Sequence, residues 1–218
     1  MQAGRAVRIL IIDHGCCDYP HTRVHLLREA LAAHGHEAAV CGPSSVSHLE
    51  EQQPGMHGIH LRDVAGASRK LSAAVQDGSA AAFLETVATV PSRLLGLVRE
   101  TARQMIAEAA DALYPDVIFV LHAGILTDLA VETGAPVVVH VSAVDLAAAA
   151  ARPSLRRLVT AAIDSSLVVA ADEPTATTLL ATWLHDTAAG CDAWPADADH
   201  VAAIEAACAR AVARRTAR

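Results

Sequence analysis

The sequence predicts an α/β protein: one Rossmann-like, doubly wound parallel sheet of about six strands, completed by a C-terminal helix. Three observations carry this. Residues 7–13, VRILIID, open the chain with a short apolar run rich in β-branched side chains. Val117–Leu121 and Val137–Val141 are two more, too short for helices and of the composition found in parallel strands buried on both faces. Between them lie a Gly-containing turn, a short helical stretch and a Gly-Ala-Pro turn, so residues 116–146 form a βαβ unit.

The other elements follow in order. A helix over about Thr22–His34 directs Val24, Leu27 and Leu31 to the sheet and stops at Gly35. Strand 2 covers about Glu37–Cys41, and a polar loop leads to a short strand near Gly58–Leu61. Residues 63–80 are rich in Gly, Ala, Ser and Asp and read as a mobile loop. Helical sequence covers Ala81–Leu113, with Pro91 as a break. The second of the two long apolar runs is followed by a loop ending at Asp145. A helix near Ser154–Ile163 then leads to a strand at Ser166–Ala170. Asp172 and Pro174 mark the start of the next helix. HDTAAGCDAWPADAD reads as a loop and Ala198–Arg215 as an Ala-rich helix. The expected division is a domain over 1–185, with 186–218 supplying a loop and a helix that packs back on it. The strand order expected is 3-2-1-4-5-6.

Composition narrows the function. The 218 residues carry 17 Lys and Arg against 24 Asp and Glu, and a net charge of −7 disfavours a nucleic-acid surface. No apolar run reaches the roughly 18–20 residues of a membrane span. Five cysteines, an odd count without zinc-ribbon spacing, in a chain whose first strand begins almost at once, suggest reduced thiols and a cytoplasmic location.

Ligands of doubly wound sheets bind beyond the carboxyl ends of the strands. That rule points to His14 after strand 1, His122 after strand 4, and His140, Ser142 and Asp145 at the end of strand 5. Three of these have a structural alternative. His122 is either a site residue or a loop histidine satisfied by backbone; His140 is either a site residue or a hydrogen-bonded core residue; Asp145 binds a hydroxyl or caps the next helix. The loop after strand 1 also collects His14, Cys16, Cys17, His21 and His25, a donor set that zinc or copper accepts, although its spacing matches no common zinc module.

With VRILIID, the helix and turn LLREALAAHGHEAAVCGP and the 116–146 segment in this order, the chain resembles the N-terminal, acceptor-side domain of GT-B retaining glycosyltransferases over roughly residues 7–185. The resemblance implies a glycosyltransferase-like protein acting in glycosyl transfer on a sugar or polyol acceptor. No counterpart of the family's donor-binding half is found, so catalysis would need a heteromeric partner or a homodimer that completes the cleft. No cofactor is implied, and a nucleotide-sugar donor enters only if a partner supplies its domain. By the same resemblance the loop holding Gly15 and Cys16 meets the ligand, and Glu173 starts a helix near the interdomain cleft. His122, His140 and Asp145 become the catalytic candidates. The family's His-Gly pair falls on Ser142 and Ala143, so its histidine is lost, while His140 lies two residues earlier on the same strand face. The runner-up reading is a repurposed Rossmann-like binding protein, or an enzyme of another class, binding a metal through the His/Cys loop.

Overall fold

The structure is a computed structural model and describes residues 6–18, 22–46, 49–61, 68–183, 191–193 and 200–216. Its centre is a seven-stranded sheet in which every described pairing is parallel. The strands are β1 (Arg8–Ile12), β2 (Glu37–Ser44), β3 (Met56–His60), β4 (Val117–Val120), β5 (Val137–Val141), β6 (Leu167–Ala170) and β7 (Cys191–Ala193). Their order is β3-β2-β1-β4-β5-β6-β7. This is the expected doubly wound order with one further strand at the edge. The switch in winding direction falls between β1 and β4, which pair in register from Ile9 opposite Val117 to Ile12 opposite Val120.

Side chains alternate across the sheet and feed two cores. Leu10, Ile12, Ile118, Val120, Val137 and Val139 face one side. Against them pack α3 (Arg69–Asp77), α4 (Ala80–Thr89), α5 (Ser92–Leu113), α6 (Thr127–Glu132), α7 (Ala143–Ala150), α8 (Pro153–Asp164) and α9 (Glu173–Thr182). Ile9, Ile11, Val117, Phe119 and Val138 face the other, against α1 (Arg23–Ala33), α2 (Leu49–Gln52) and α10 (His200–Thr216). With so few aromatic residues the cores are filled by Leu, Val, Ile and Ala, and the alanines of α5 and α10 let those helices approach closely. Glu205 fastens α10 by accepting at one oxygen from His34 Nδ1 and His36 Nε2, both at 2.9 Å.

Four segments differ from the sequence reading. The stretch read as a polar loop after strand 2 carries the end of β2 and the short helix α2. The stretch read as a mobile loop over 63–80 contains α3; residues 62–67 lie outside the described residues. The helix forms because Leu71, Ala74 and Val75 make a buried stripe at helical spacing and Ser68 caps it by accepting from Leu71 N. The loop ending at Asp145 is instead the first turn of α7. Within the segment read as a loop after Trp183, Cys191–Ala193 pairs with β6. The break at Pro91 falls where expected, between α4 and α5.

Candidate functional site

Strands β1, β4 and β5 end side by side, and the residues that follow them meet. His122 comes two residues after β4, and Asp145 lies in the first turn of α7, just beyond β5. Asp145 is completely buried. Its Oδ1 lies 3.0 Å from His122 Nδ1, and its Oδ2 accepts from Ser142 N at 2.8 Å and Ala123 N at 3.2 Å. Ser142 Oγ in turn accepts from Asp145 N, so the two residues form a capping box. Asp145 is therefore both a cap and the anchor of an imidazole; the two alternatives in the sequence are one arrangement.

A carboxylate only accepts, so the proton on His122 resides at Nδ1 and the Nε2 lone pair points away from Asp145. Nε2 lies 4.0 Å from Asp13 Oδ1. That gap is too long for a direct hydrogen bond and suits an oxygen placed between the two groups. The His122 side chain keeps 23% of its surface exposed and Asp13 keeps 13%, so the gap is reachable from solvent. Burial lowers the affinity of His122 for a proton, but the hydrogen bond and charge of Asp145, helped by the charge of Asp13, raise it further, and the net shift is upward from 6.5.

His140 is buried, and its Nδ1 donates to the carbonyl of Leu121, 3.0 Å away. Its ring meets that of His122 edge-on with centroids 6.5 Å apart. Burial pushes its pKa down. His140 thus braces the end of β4 from beneath, one residue before His122. His14 is buried completely; its Nε2 accepts from Leu126 N at 3.2 Å, while among the described residues its Nδ1 has no hydrogen-bond partner. Burial above all, with the charge of His122, lowers its pKa to about 3, so it is a neutral packing residue under the β4–α6 loop. That loop is closely fitted: a Cβ at Gly124 would come within 2.6 Å of His14 Nε2 and 2.4 Å of Leu84 Cδ2. Arg99 ties down its other end, donating to Ile125 O and pairing with both oxygens of Asp128.

The loop after β1 is less open than the sequence suggests. Gly15 N donates to Asp13 Oδ1 and Cys16 N to Gly78 O, so these amides are already used. A Cβ at Gly15 would lie 3.0 Å from Gly78 O, which covers the loop. Burial pushes the Cys16 and Cys41 thiols up to about 12 and raises Cys17 as well, holding all three as thiols. Cys17 Sγ donates to Gly42 O, and His25 Nε2 lies 3.0 Å from Cys17 O. Among the described residues no group of three His, Cys, Asp or Glu side chains is placed to hold a metal ion. His21 lies outside the described residues. Glu173 is exposed in the first turn of α9.

The site therefore unites His122, Asp145, Ser142 and, in support, His140 and His14. Asp13 was not anticipated. It immediately follows β1, and the strand-end rule that singled out His14 applies to it equally.

Fold and site together define a doubly wound α/β protein with a carboxylate–imidazole pair at the carboxyl edge of its sheet. No family model and no curated protein matches the chain. Among solved structures, the chain is similar to Spinosyn Rhamnosyltransferase SpnG at 19% identity and a TM-score of 0.36, over 75% of this chain and 45% of that one. It thus spans less than half the length of that neighbour.

Proposed function

We propose that the chain supplies the acceptor side of a glycosyl transfer reaction, with His122 as the general base for an acceptor hydroxyl. The observation that carries this is the His122 Nδ1–Asp145 Oδ1 contact, which leaves Nε2 as a lone pair facing a gap of oxygen size. The sugar or polyol class of the acceptor rests on the segments VRILIID, LLREALAAHGHEAAVCGP and 116–146, which resemble the acceptor domain of GT-B enzymes. A hydroxyl seated between Nε2 and Asp13 donates its proton to Nε2 as its oxygen attacks the sugar carbon. Asp145 holds the imidazole in the required tautomer and stabilises the imidazolium that forms. Charge developing on the leaving phosphate needs positive groups or amide donors, and in the β1 loop the amides of Gly15, Cys16 and Cys17 are spent internally. A partner or a second copy completes the cleft on that side.

Ligand-observed NMR of the purified chain with a panel of sugars, polyols and nucleotide sugars tests this reading. At least one sugar or polyol is expected to bind, and His122→Ala to weaken it about tenfold, the loss of one hydrogen bond. Binding of a nucleotide sugar alone, with no sugar or polyol bound, contradicts the proposal, as does acceptor binding indifferent to His122.

A further inference from the structure

A second concavity lies on the far side of α7 from the His122 pair. It has a volume of about 460 Å³ and runs between α7 and α9. The α7 wall is a stripe of Ala143, Leu146, Ala147 and Ala150, all apolar and mostly small. The α9 wall carries Thr178 and Thr182, whose hydroxyls donate back to Pro174 O at 2.9 Å and Thr178 O at 2.7 Å. With those protons committed to their own helix, the two threonines offer the groove no free donor, only acceptor lone pairs, and its apolar wall is that of α7.

The two ends differ in charge. Asp172, the N-cap of α9, lines one end. At the other, Arg156 lies over the Trp183 ring, 4.9 Å from its centroid, and gives one N–H to Thr182 O at 3.4 Å. Among the described residues Arg156 forms no ion pair, so a guanidinium with five donors spends one of them, weakly, on protein. Asp172 and Trp183 are separated by the whole of α9, roughly 15 Å at the rise of an α-helix. Spread over that length, the volume admits an extended hydrocarbon chain.

We infer that this groove binds a medium-chain aliphatic anion, its chain along the α7 alanine stripe and its anionic head at Arg156. Charge sets the orientation, since Asp172 repels an anion from the opposite end. The site is independent of the His122 reading: it uses another face of α7 and no residue of the pair.

Calorimetric titration of the full chain with octanoate, decanoate and dodecanoate tests it, with decyl phosphate and decanol as companions. Saturable one-site binding of at least one carboxylate is expected, weakened tenfold or more by Arg156→Gln and by replacing the carboxylate with the alcohol. Ala147→Phe, at an exposed helix position, is expected to block the groove and abolish binding without loss of helical circular dichroism. Decyl phosphate binding more tightly than decanoate would identify the head as a phosphate within the same proposal. Absence of saturable binding by any of these anions overturns it, as does equal binding of decanol, or binding that survives both substitutions.

Discussion

Replacing Asp145 with alanine is expected to destabilise the protein by about 3–5 kcal/mol, the range for removing one partner from a buried, hydrogen-bonded charge pair. The carboxylate is fully buried and serves three donors, His122 Nδ1, Ala123 N and Ser142 N. Alanine leaves two backbone N–H groups without acceptors and undoes the capping box of α7. Asparagine keeps an acceptor oxygen and is expected to cost less than half as much. Urea unfolding of the two variants beside the parent checks this. A loss below about 1 kcal/mol for Asp145→Ala would show that water or a rearranged turn replaces the carboxylate.

The second large effect is an acid instability centred on His14. Its pKa is about 6.5 in the unfolded chain and about 3 in the fold, where burial excludes the charged form. The unfolded state therefore binds the extra proton first. The stability associated with neutral His14 is fully present above pH 6.5 and is lost as the pH falls from there toward 3, at about 1.4 kcal/mol per pH unit. His14→Gln preserves an acceptor for Leu126 N and removes the titration. Between pH 7 and pH 5 the parent is expected to lose about 2 kcal/mol more than the variant. His140, whose pKa is also lowered, and His122, whose pKa is raised, contribute equally to both proteins and cancel. Identical losses in parent and variant would mean that the imidazole escapes to solvent before it is protonated.

The sheet was legible because its central strands are buried on both faces and so carry continuous apolar runs. Val117–Leu121 and Val137–Val141 announce themselves in this way, and their neighbours follow from the doubly wound rule. What escaped was structure whose signal is short or diluted. The α3 stripe of Leu71, Ala74 and Val75 sits among Gly, Ser and Asp, a composition that resembles a loop. β7 has three residues and owes its existence to the exposed edge of β6. The start of α7 was readable in Ser142-Ala-Val-Asp145, a capping box with Asp in place of the usual Glu, and a cap at Asp145 was one of the two roles the sequence allowed it.

The candidate site divides along similar lines. Strand ends identify which polar residues gather, since topology alone brings them to one edge. They do not identify which side chains bond. That His122 pairs with Asp145, 23 positions away, while His140 turns to the Leu121 carbonyl, depends on the stagger between β4 and β5 and on the α7 cap. The cysteines of the β1 loop are sealed inside, where burial makes them inert thiols.

The central claim is that Asp145 orients His122 and raises its basicity, leaving Nε2 as the proton acceptor. Nitrogen-15 NMR titration of histidine-labelled protein tests this most directly, because it reports the tautomer and the pKa of each ring. The account predicts that neutral His122 is protonated at Nδ1, that it titrates above 6.5, and that Asp145→Asn lowers that value. A His122 that titrates at or below 6.5 with the proton on Nε2, unchanged by Asp145→Asn, would contradict it.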